Sequence, residues 1–196
     1  MTAGRCLLNV LLALALFPLF GCGDSQPKTA PPPPAKLSRE AVGYYCGMIV
    51  ADHPGPKGQI FLEGQEEPLW FTSVRDTVAF TMLPEESKAL RAIYVQDMAE
   101  AMSWEAPGDD AWMKAEEAHY VIGSSRRGGM GATEAVPFSD AKKAAAFAVD
   151  FGGLVVGWSE IPKDTILGGP EAEAPSMEDH PSQNVTGGEE NKSPDD

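Results

Sequence analysis

Two stretches of the chain repeat the same order of sequence signals. In the first stretch, Phe80 follows Phe71 at a distance of nine residues, and in the second, Phe147 follows Phe138 at the same distance. Within each stretch, apolar residues recur at helical spacing, and runs typical of strands lie before and after the predicted helix. This double pattern constrains the chain to pack two copies of one small unit of strands and a helix.

Each half is predicted to contain two strands, one helix and one further strand. The predicted elements are strands 44–50 and 59–62, helix 74–83 and strand 92–95, then strands 118–122 and 132–136, helix 140–149 and strand 153–156. The fold class is therefore α+β, with two ββαβ-type repeats near residues 42–97 and 112–160 and mostly antiparallel sheets. The alternative is that two phenylalanine pairs in register are a chance match.

The first 21 residues have the composition of an export signal. Arg5 precedes an apolar run over residues 7–20, which is shorter than the roughly 20 residues needed to cross a membrane. The run leads to Leu-Phe-Gly-Cys at residues 19–22, which resembles a bacterial lipobox. We therefore predict a lipoprotein signal peptide over residues 1–21 and acylation of Cys22, which would attach the protein to a lipid bilayer. The alternative is ordinary signal cleavage, with Cys22 left as a free or paired thiol.

The segments on both sides of the predicted domain contain few large apolar side chains. Residues 22–38 are rich in proline, which favours an extended tether of about 3 Å per residue. From residue 168 to 196, eight carboxylates stand against one lysine, a net charge of −7 out of −14 for the whole chain. We predict a tether at 22–38, a folded domain at 39–163 and a disordered acidic tail at 164–196. The acidic balance also argues against nucleic acid as a partner.

Cys46 and Met48 form a pair of soft donors within the sequence Tyr-Cys-Gly-Met. Cys6 lies in the predicted signal peptide and Cys22 is the predicted acylation site, so Cys46 is left without a disulfide partner. On a strand the two side chains would share one face, and Gly47 would also permit a turn that brings them together. A thiolate beside a thioether favours Cu(I) among metal ions. The alternative is that both residues are buried in the core, as free cysteine and methionine often are.

Met130 lies in a polar, glycine-rich segment without apolar periodicity. The segment has the sequence Arg-Arg-Gly-Gly-Met-Gly over residues 126–131, and its glycines would allow a loop to approach another surface closely. A sulfur atom from this loop could complete a three-coordinate Cu(I) site with Cys46 and Met48. The alternative is a methionine packed beneath its own loop.

Two histidines are weaker candidates for a fourth ligand. His119 lies in a predicted strand, and the alternative is that it has only a structural role there. His53 lies in a turn-like segment at residues 52–56. The sequence contains no CxxC, HExxH or glycine-rich phosphate-binding motif. We find no convincing constellation of catalytic residues.

Five short motifs follow one another along the predicted domain. They are Cys-Gly-Met at 46–48, Tyr-Val-Ile-Gly-Ser at 120–124, Gly-Met-Gly at 129–131, Pro-Phe at 137–138 and Gly-Gly at 152–153. This ordered set resembles the NosL family, copper-binding lipoproteins that accompany nitrous-oxide reductase. The resemblance covers residues 44–161, and the lipobox-like sequence agrees with it. It implies a fold of two ββαβ units similar to the core of organomercurial lyase.

The resemblance implies a Cu(I) chaperone rather than an enzyme. It implies that Cys46, Met48 and Met130 are the metal ligands, and that the partners are apo nitrous-oxide reductase and its ABC-type maturation complex. We expect the protein to be lipid-anchored through Cys22 at the periplasmic face of a bacterial membrane. The alternative function is a thiol-dependent enzyme, a lyase or a redox protein, that uses Cys46 on the same fold. Such chemistry needs a second cysteine or a paired base within reach, and the mature sequence has no other free cysteine.

Overall fold

The computed structural model describes residues 30–168, which form two antiparallel sheets and three helices. The strands are β1 (Gly58–Leu62), β2 (Leu69–Phe71), β3 (Leu90–Gln96), β4 (Trp112–Lys114), β5 (His119–Ile122), β6 (Val136–Phe138) and β7 (Leu154–Gly157). The helices are α1 (Val74–Met82), α2 (Ala141–Phe151) and α3 (Lys163–Leu167). The strand order is β2-β1-β3-β4 in the first sheet and β6-β5-β7 in the second. The predicted α+β class is confirmed.

The internal repeat is visible in the order of the elements. Strands β1 and β2, helix α1 and strand β3 of the first half correspond to β5, β6, α2 and β7 of the second, and the first strand is central in both sheets. The repeated phenylalanines are strand-to-helix contacts: the ring centroids of Phe71 and Phe80 are 5.6 Å apart, and those of Phe138 and Phe147 are 5.2 Å apart. The spacing therefore reflects the same packing contact in both halves.

Both long helices begin at a side-chain cap. The hydroxyl of Ser73 accepts a hydrogen bond from the amide of Asp76 at the start of α1. At the start of α2 the cap is the carboxylate of Asp140, which accepts hydrogen bonds from the amides of Lys142 and Lys143. Such caps stabilise a helix by about 1 kcal/mol. Helix α2 ends at Gly152, whose φ of 75° is readily adopted by glycine.

One hydrophobic core serves both halves of the domain. Its buried side chains come from the first sheet, from α1 and α3, and from the second sheet with its flanking turns. They are Ile60, Leu62, Phe71, Val74, Val78, Phe80, Ile93, Val95, Ala115, Ala118, Tyr120, Ile122, Ala135, Ile161 and Ile166. Burial of each large side chain contributes about 1.5–3 kcal/mol. Because the core is shared, the two repeats form one packed structure.

Two strand predictions need correction, and one strand was missed. Residues 44–50 form a turn instead of a strand, because the amide of Gly43 bonds to the carbonyl of Met48 and that of Gly47 returns to Gly43. The strand before α1 is instead β2, at Leu69–Phe71. In the second half, the strand predicted at 132–136 is displaced to Val136–Phe138, because residues 132–135 belong to the preceding loop. Strand β4 was not predicted and pairs with β3.

The proline-rich segment before the domain packs on it instead of forming a free tether up to residue 38. The side-chain amide of Gln59 accepts a hydrogen bond from the Ala35 amide at 2.8 Å and donates one to the Ala35 carbonyl at 3.0 Å. The hydroxyl of Tyr94 donates to the carbonyl of Pro32 at 2.6 Å. Gln59 is fully buried, so its amide requires such partners. The folded structure therefore begins before residue 39.

The domain also extends past residue 163, where the tail was predicted to begin. Helix α3 follows directly, and its Ile166 is buried in the shared core. The guanidinium group of Arg75 donates to the carbonyls of Ile166 and Gly168. The predicted signal peptide, Cys22 and the tail after residue 168 lie outside the described residues. Within residues 30–168, no helix is long and apolar enough to span a membrane.

Candidate metal centre

Cys46 and Met48 lie on a tight turn attached to the end of β2. The turn closes through the hydrogen bond from the Gly43 amide to the Met48 carbonyl, at 2.9 Å. Gly47 has a φ of 67°, a left-handed conformation that glycine adopts without strain. The amide of Tyr44 donates to the carbonyl of Trp70 at 2.7 Å, which fixes the turn to β2. Of the two geometries left open by the sequence, the turn is the one observed.

The thiol of Cys46 is half-buried against two small neighbours. Its Sγ lies 3.8 Å from the hydroxyl oxygen of Thr72. A Cβ atom at Gly43 would lie 2.6 Å from Sγ, so the absence of a side chain at Gly43 makes room for the thiol. Among the described residues, Cys46 is the free cysteine. The thiol is thus held in place while keeping access to solvent.

The two candidate methionines are surface residues and not core residues. The side chain of Met48 is 41% exposed and that of Met130 is 46% exposed. This exposure excludes the alternative in which Met48 is buried in the core, and Met130 is likewise not enclosed beneath its own loop. Both methionines therefore lie at the surface, where an ion or another protein could contact them.

The glycine-rich loop that carries Met130 packs directly against Thr72. A Cβ atom at Gly129 would lie 2.7 Å from the Thr72 carbonyl oxygen and 2.8 Å from Cβ of His53. Only glycine permits this approach, as the sequence suggested for this loop. Thr72 therefore contacts the Cys46 thiol through its side chain and the Met130 loop through its carbonyl. The structure brings the two segments together at one buried residue.

The two histidines differ in their relation to this arrangement. His53 lies beside the loop, with Nδ1 3.1 Å from the Gly129 carbonyl oxygen. His119 begins β5 and pairs with Phe138 and Gly157, whereas the loop leaves β5 at its other end. Three strand steps separate these ends, or about 10 Å. The structure does not bring His119 to the other candidate ligands.

A buried lysine supports the turn that contacts the loop, and sequence reasoning missed it. Lys57 is 2% exposed, and its ammonium group donates to the carbonyls of His53 at 2.6 Å and Pro54 at 3.0 Å, and to that of Gly55. Burial lowers the pKa of Lys57 to about 8. No sequence signal marks this residue, because lysine is almost never fully buried without a partner.

A buried glutamate contacts the loop at Gly128 and was also missed. One carboxyl oxygen of Glu134 accepts hydrogen bonds from the amides of Arg75 at 2.7 Å and Ala135 at 2.9 Å. Burial raises the pKa of Glu134 to about 8, against the effect of these two amides and of Lys57. The sequence offers one hint of this burial, because Glu134 is a charged residue within a segment, 132–136, that otherwise resembles a strand.

Two tyrosines form an exposed aromatic rim beside the Cys46 turn. The hydroxyls of Tyr44 and Tyr45 both donate to the carboxylate of Glu86, at 3.2 and 2.8 Å. Tyr44 also packs against Phe71 and Phe80, with ring centroids 5.9 and 5.6 Å away. The raised pKa of Tyr44 follows from the nearby negative charge of Glu86. The rim therefore presents neutral phenols next to the sulfur donors.

The three candidate sulfur residues are all soft donors. One thiol and two thioethers are ligand types that suit Cu(I). A structural zinc site needs four ligands drawn from thiolate, imidazole and carboxylate groups. Among residues 30–168, no group of three or more histidine, cysteine, aspartate or glutamate side chains is placed to hold a metal ion. The three sulfur residues therefore match the ligand preference of Cu(I) better than that of a structural zinc ion.

The chain is similar to a group of related proteins over most of its length. The NosL family model matches residues 34–166. The copper-binding lipoprotein NosL of Achromobacter cycloclastes is 45% identical over 159 residues, which is 81% of each chain. The copper-binding lipoprotein NosL of Stutzerimonas stutzeri is 34% identical over 175 residues, 89% of this chain and 88% of the relative. The crystal structure of the copper chaperone NosL from Shewanella denitrificans superposes with a TM-score of 0.63 at 33% identity, covering 67% of this chain and 98% of that chain.

Proposed function

Since the chain belongs to the NosL family, we propose that it is a Cu(I) chaperone anchored to a bacterial membrane, on its periplasmic side, by a lipid on Cys22. The proposed acceptor is nitrous-oxide reductase, whose copper centre is assembled with the help of an ABC-type membrane complex. Two relatives are named copper-binding lipoproteins, and a solved structure is that of a copper chaperone. These names support copper as the cargo and a lipid as the anchor.

The proposed ligands are the sulfur atoms of Cys46, Met48 and Met130. The observation that carries this proposal is the arrangement around Thr72, where the turn bearing a thiol and a thioether meets the loop bearing a second thioether. One thiolate and two thioethers match the preference of Cu(I) for soft donors. Because the thiolate is the only charged donor, Cys46 contributes most to affinity in this proposal.

Delivery by ligand exchange fits the exposure of the proposed donors. Both methionine side chains are about half exposed, so an acceptor's ligand could approach bound copper from the solvent side. A three-coordinate ion leaves room for that ligand to bind before the original ones leave. Transfer would then proceed without release of free copper.

Anaerobic titration with Cu(I), in competition with a colorimetric Cu(I) chelator, tests the ligand set. We expect one Cu(I) per chain. Cys46→Ser should weaken binding by more than about 100-fold, above the usual effect of residues that only support a metal ligand. Met48→Leu and Met130→Leu should each weaken it by about tenfold, with losses of stability below about 1.5 kcal/mol because the swaps conserve volume.

The matched control is Met102→Leu, which changes another exposed methionine and should leave Cu(I) affinity unchanged. X-ray absorption of the copper-loaded protein should show a nearest shell of sulfur. If Met130→Leu leaves affinity intact and instead destabilises the fold, Met130 is a packing residue and the three-sulfur site is wrong. For the acceptor, mixing copper-loaded protein with apo nitrous-oxide reductase should restore the reductase's copper spectrum, and the Cys46→Ser protein should not.

A further inference from the structure

Glu134 has a buried carboxyl group in which only one of the two oxygens accepts hydrogen bonds. The side chain is 2% exposed, and Oε1 accepts from the amides of Arg75 and Ala135. Oε2 is buried and has no hydrogen-bond partner in the described part of the chain. An apolar side chain could fill this space at a lower desolvation cost. The carboxyl group therefore calls for an explanation beyond packing.

The unpartnered oxygen points at the glycine-rich loop. A Cβ atom at Gly128 would collide with Oε2 of Glu134, and it would lie 3.4 Å from Cβ of Ser73. Gly128 thus sits between the carboxyl group and the residue that caps α1. Any movement of Glu134 would change the support beneath this part of the loop.

Glu134 links the start of α1 to the loop that carries Met130. Through the amide of Arg75 it is bonded to the first turn of α1, which begins two residues after Thr72, the neighbour of Cys46. Through Gly128 it is packed against the loop two residues before Met130. A second buried residue, Lys57, holds the turn that contacts the loop at Gly129. The loop is therefore supported by Glu134 at Gly128 and, through that turn, by Lys57 at Gly129.

We propose that Glu134 is a positioning residue that sets the distance between the Cys46 turn and Met130 by joining the start of α1 to the glycine-rich loop. This inference rests on the proposed function, because it takes Met130 as a ligand. Glu134 itself does not touch the ion. Its contribution is to hold the loop where the Met130 thioether can reach copper bound at Cys46.

Hydrogen exchange of the copper-free full chain tests the mechanical part of this proposal without any metal. The amide of Gly128 bonds to the carbonyl of Ala132, and that of Gly131 bonds to Gly128. Glu134→Ala should speed exchange at both amides by about tenfold while the amides at the centre of the first sheet keep their rates. The matched control is Glu160→Ala, which removes a carboxylate that accepts from the Gly157 amide elsewhere in the domain. Unchanged loop exchange in Glu134→Ala would overturn the proposal.

Cu(I) affinities of a double-mutant cycle test the functional part. Glu134→Ala should weaken binding about tenfold in the wild-type background, the usual effect of losing a residue that orients a metal ligand. In the Met130→Leu background the same substitution should cause no further loss of affinity, because the thioether that Glu134 positions is already absent. Glu134→Gln keeps an oxygen that can accept from the same two amides, so it should stay within about threefold of wild type.

The outcomes separate this inference from the proposed function. An equal loss from Glu134→Ala in both backgrounds would show a general structural effect and would overturn the positioning role. No loss in the wild-type background would overturn it as well. If Met130→Leu alone leaves affinity unchanged, the proposed ligand set fails, and the positioning role fails with it even when the exchange result shows that Glu134 holds the loop.

Discussion

At the scale of single residues, Thr72 is the point at which the proposed site is assembled. Its hydroxyl oxygen lies 3.8 Å from the Sγ atom of Cys46, and its carbonyl oxygen is in close contact with Gly129. Thr72 is itself buried and follows the last residue of β2. A buried residue at a strand end has little freedom to move. Thr72 therefore holds both ligand-bearing segments in a fixed position relative to β2. A larger side chain at Gly43 or Gly129 would break this relation.

The buried carboxyl group of Glu134 predicts a dependence of stability on pH. Burial, with a smaller effect of Asp76, raises its pKa from an ordinary value of 4.5 to about 8, while two backbone amides and Lys57 act in the opposite direction. The folded state therefore holds a proton that the unfolded state releases. This contribution is complete below pH 4.5 and is lost as the pH rises towards 8. Between these limits this one group should lower the free energy of unfolding by several kcal/mol, at about 1.4 kcal/mol per pKa unit.

Urea denaturation at a series of pH values measures this effect. The wild type and Glu134→Gln should be compared, because glutamine keeps the volume and cannot ionise. The variant should show a shallower decline in the free energy of unfolding over the same range. Parallel curves for the two proteins would mean that Glu134 does not hold a proton in the folded state. Lys57 titrates near the upper end of this range, and it is present in both proteins.

At the scale of secondary-structure elements, local sequence signals predicted α1 and α2, but neither α3 nor the position of every strand. The spacing of Phe71 and Phe80 is a local pattern, and it identified a real strand-to-helix contact. For the segment around Cys46 the sequence left two geometries open, a strand and a turn. The strand was predicted because aromatic and β-branched residues favour strands. What fixes the turn is a pair of hydrogen bonds around Gly47, which composition does not reveal.

The site was predicted in part for the same reason. Sulfur residues are few and conspicuous, so Cys46, Met48 and Met130 could be singled out from the sequence. Lys57 and Glu134 could not, because charged residues in loops are normally exposed. Glu134 depends on a partner far away in the chain, the amide of Arg75, whereas Lys57 binds the carbonyls of its own turn. Only the folded structure shows that both residues support the loop.

The docking of the proline-rich segment predicts a stabilising role for Gln59. Gln59→Ala removes both hydrogen bonds to Ala35 and leaves the backbone of that residue without its partner. We expect the free energy of unfolding to fall by about 1–3 kcal/mol, and hydrogen exchange of residues 35–37 to become faster. Cu(I) affinity should not change. Urea denaturation measures the loss.

The control for this prediction is Gln65→Ala, because Gln65 is exposed and should affect stability by less than about 0.5 kcal/mol. If Gln59→Ala is as stable as wild type, the segment is only loosely attached. The contact of Tyr94 with Pro32 would then have to account for its position.

At the scale of the whole molecule, the docked segment limits the reach of the proposed anchor. Because Pro32 is bonded to Tyr94, only nine residues, 23–31, connect Cys22 to the packed structure. Nine residues span at most about 30 Å, so a lipid on Cys22 would keep the domain close to the bilayer. Cys22→Ser should therefore move the protein from the membrane fraction to the soluble periplasmic fraction. Continued membrane association of this variant would place the anchor elsewhere.

The C-terminal boundary of the domain yields a prediction from two truncations. A chain that ends at residue 168 keeps α3, with Ile166 in the core and the Arg75 guanidinium bonded to the carbonyls of Ile166 and Gly168. A chain that ends at residue 162 loses these contacts and leaves the apolar site of Ile166 empty. We expect the longer truncation product to unfold within about 0.5 kcal/mol of the full chain, because the acidic residues that follow lack apolar side chains for a core.

The shorter product should lose about 2–4 kcal/mol, the range for removal of a large buried aliphatic side chain. Because Arg75 also supplies the amide that binds Glu134, this loss should be accompanied by faster hydrogen exchange at the start of α1. Cu(I) affinity should be unchanged in the chain that ends at residue 168. A marked loss of stability in that chain would show that residues beyond 168 bind to the domain, and equal stability of the two truncated chains would show that α3 contributes nothing to the core.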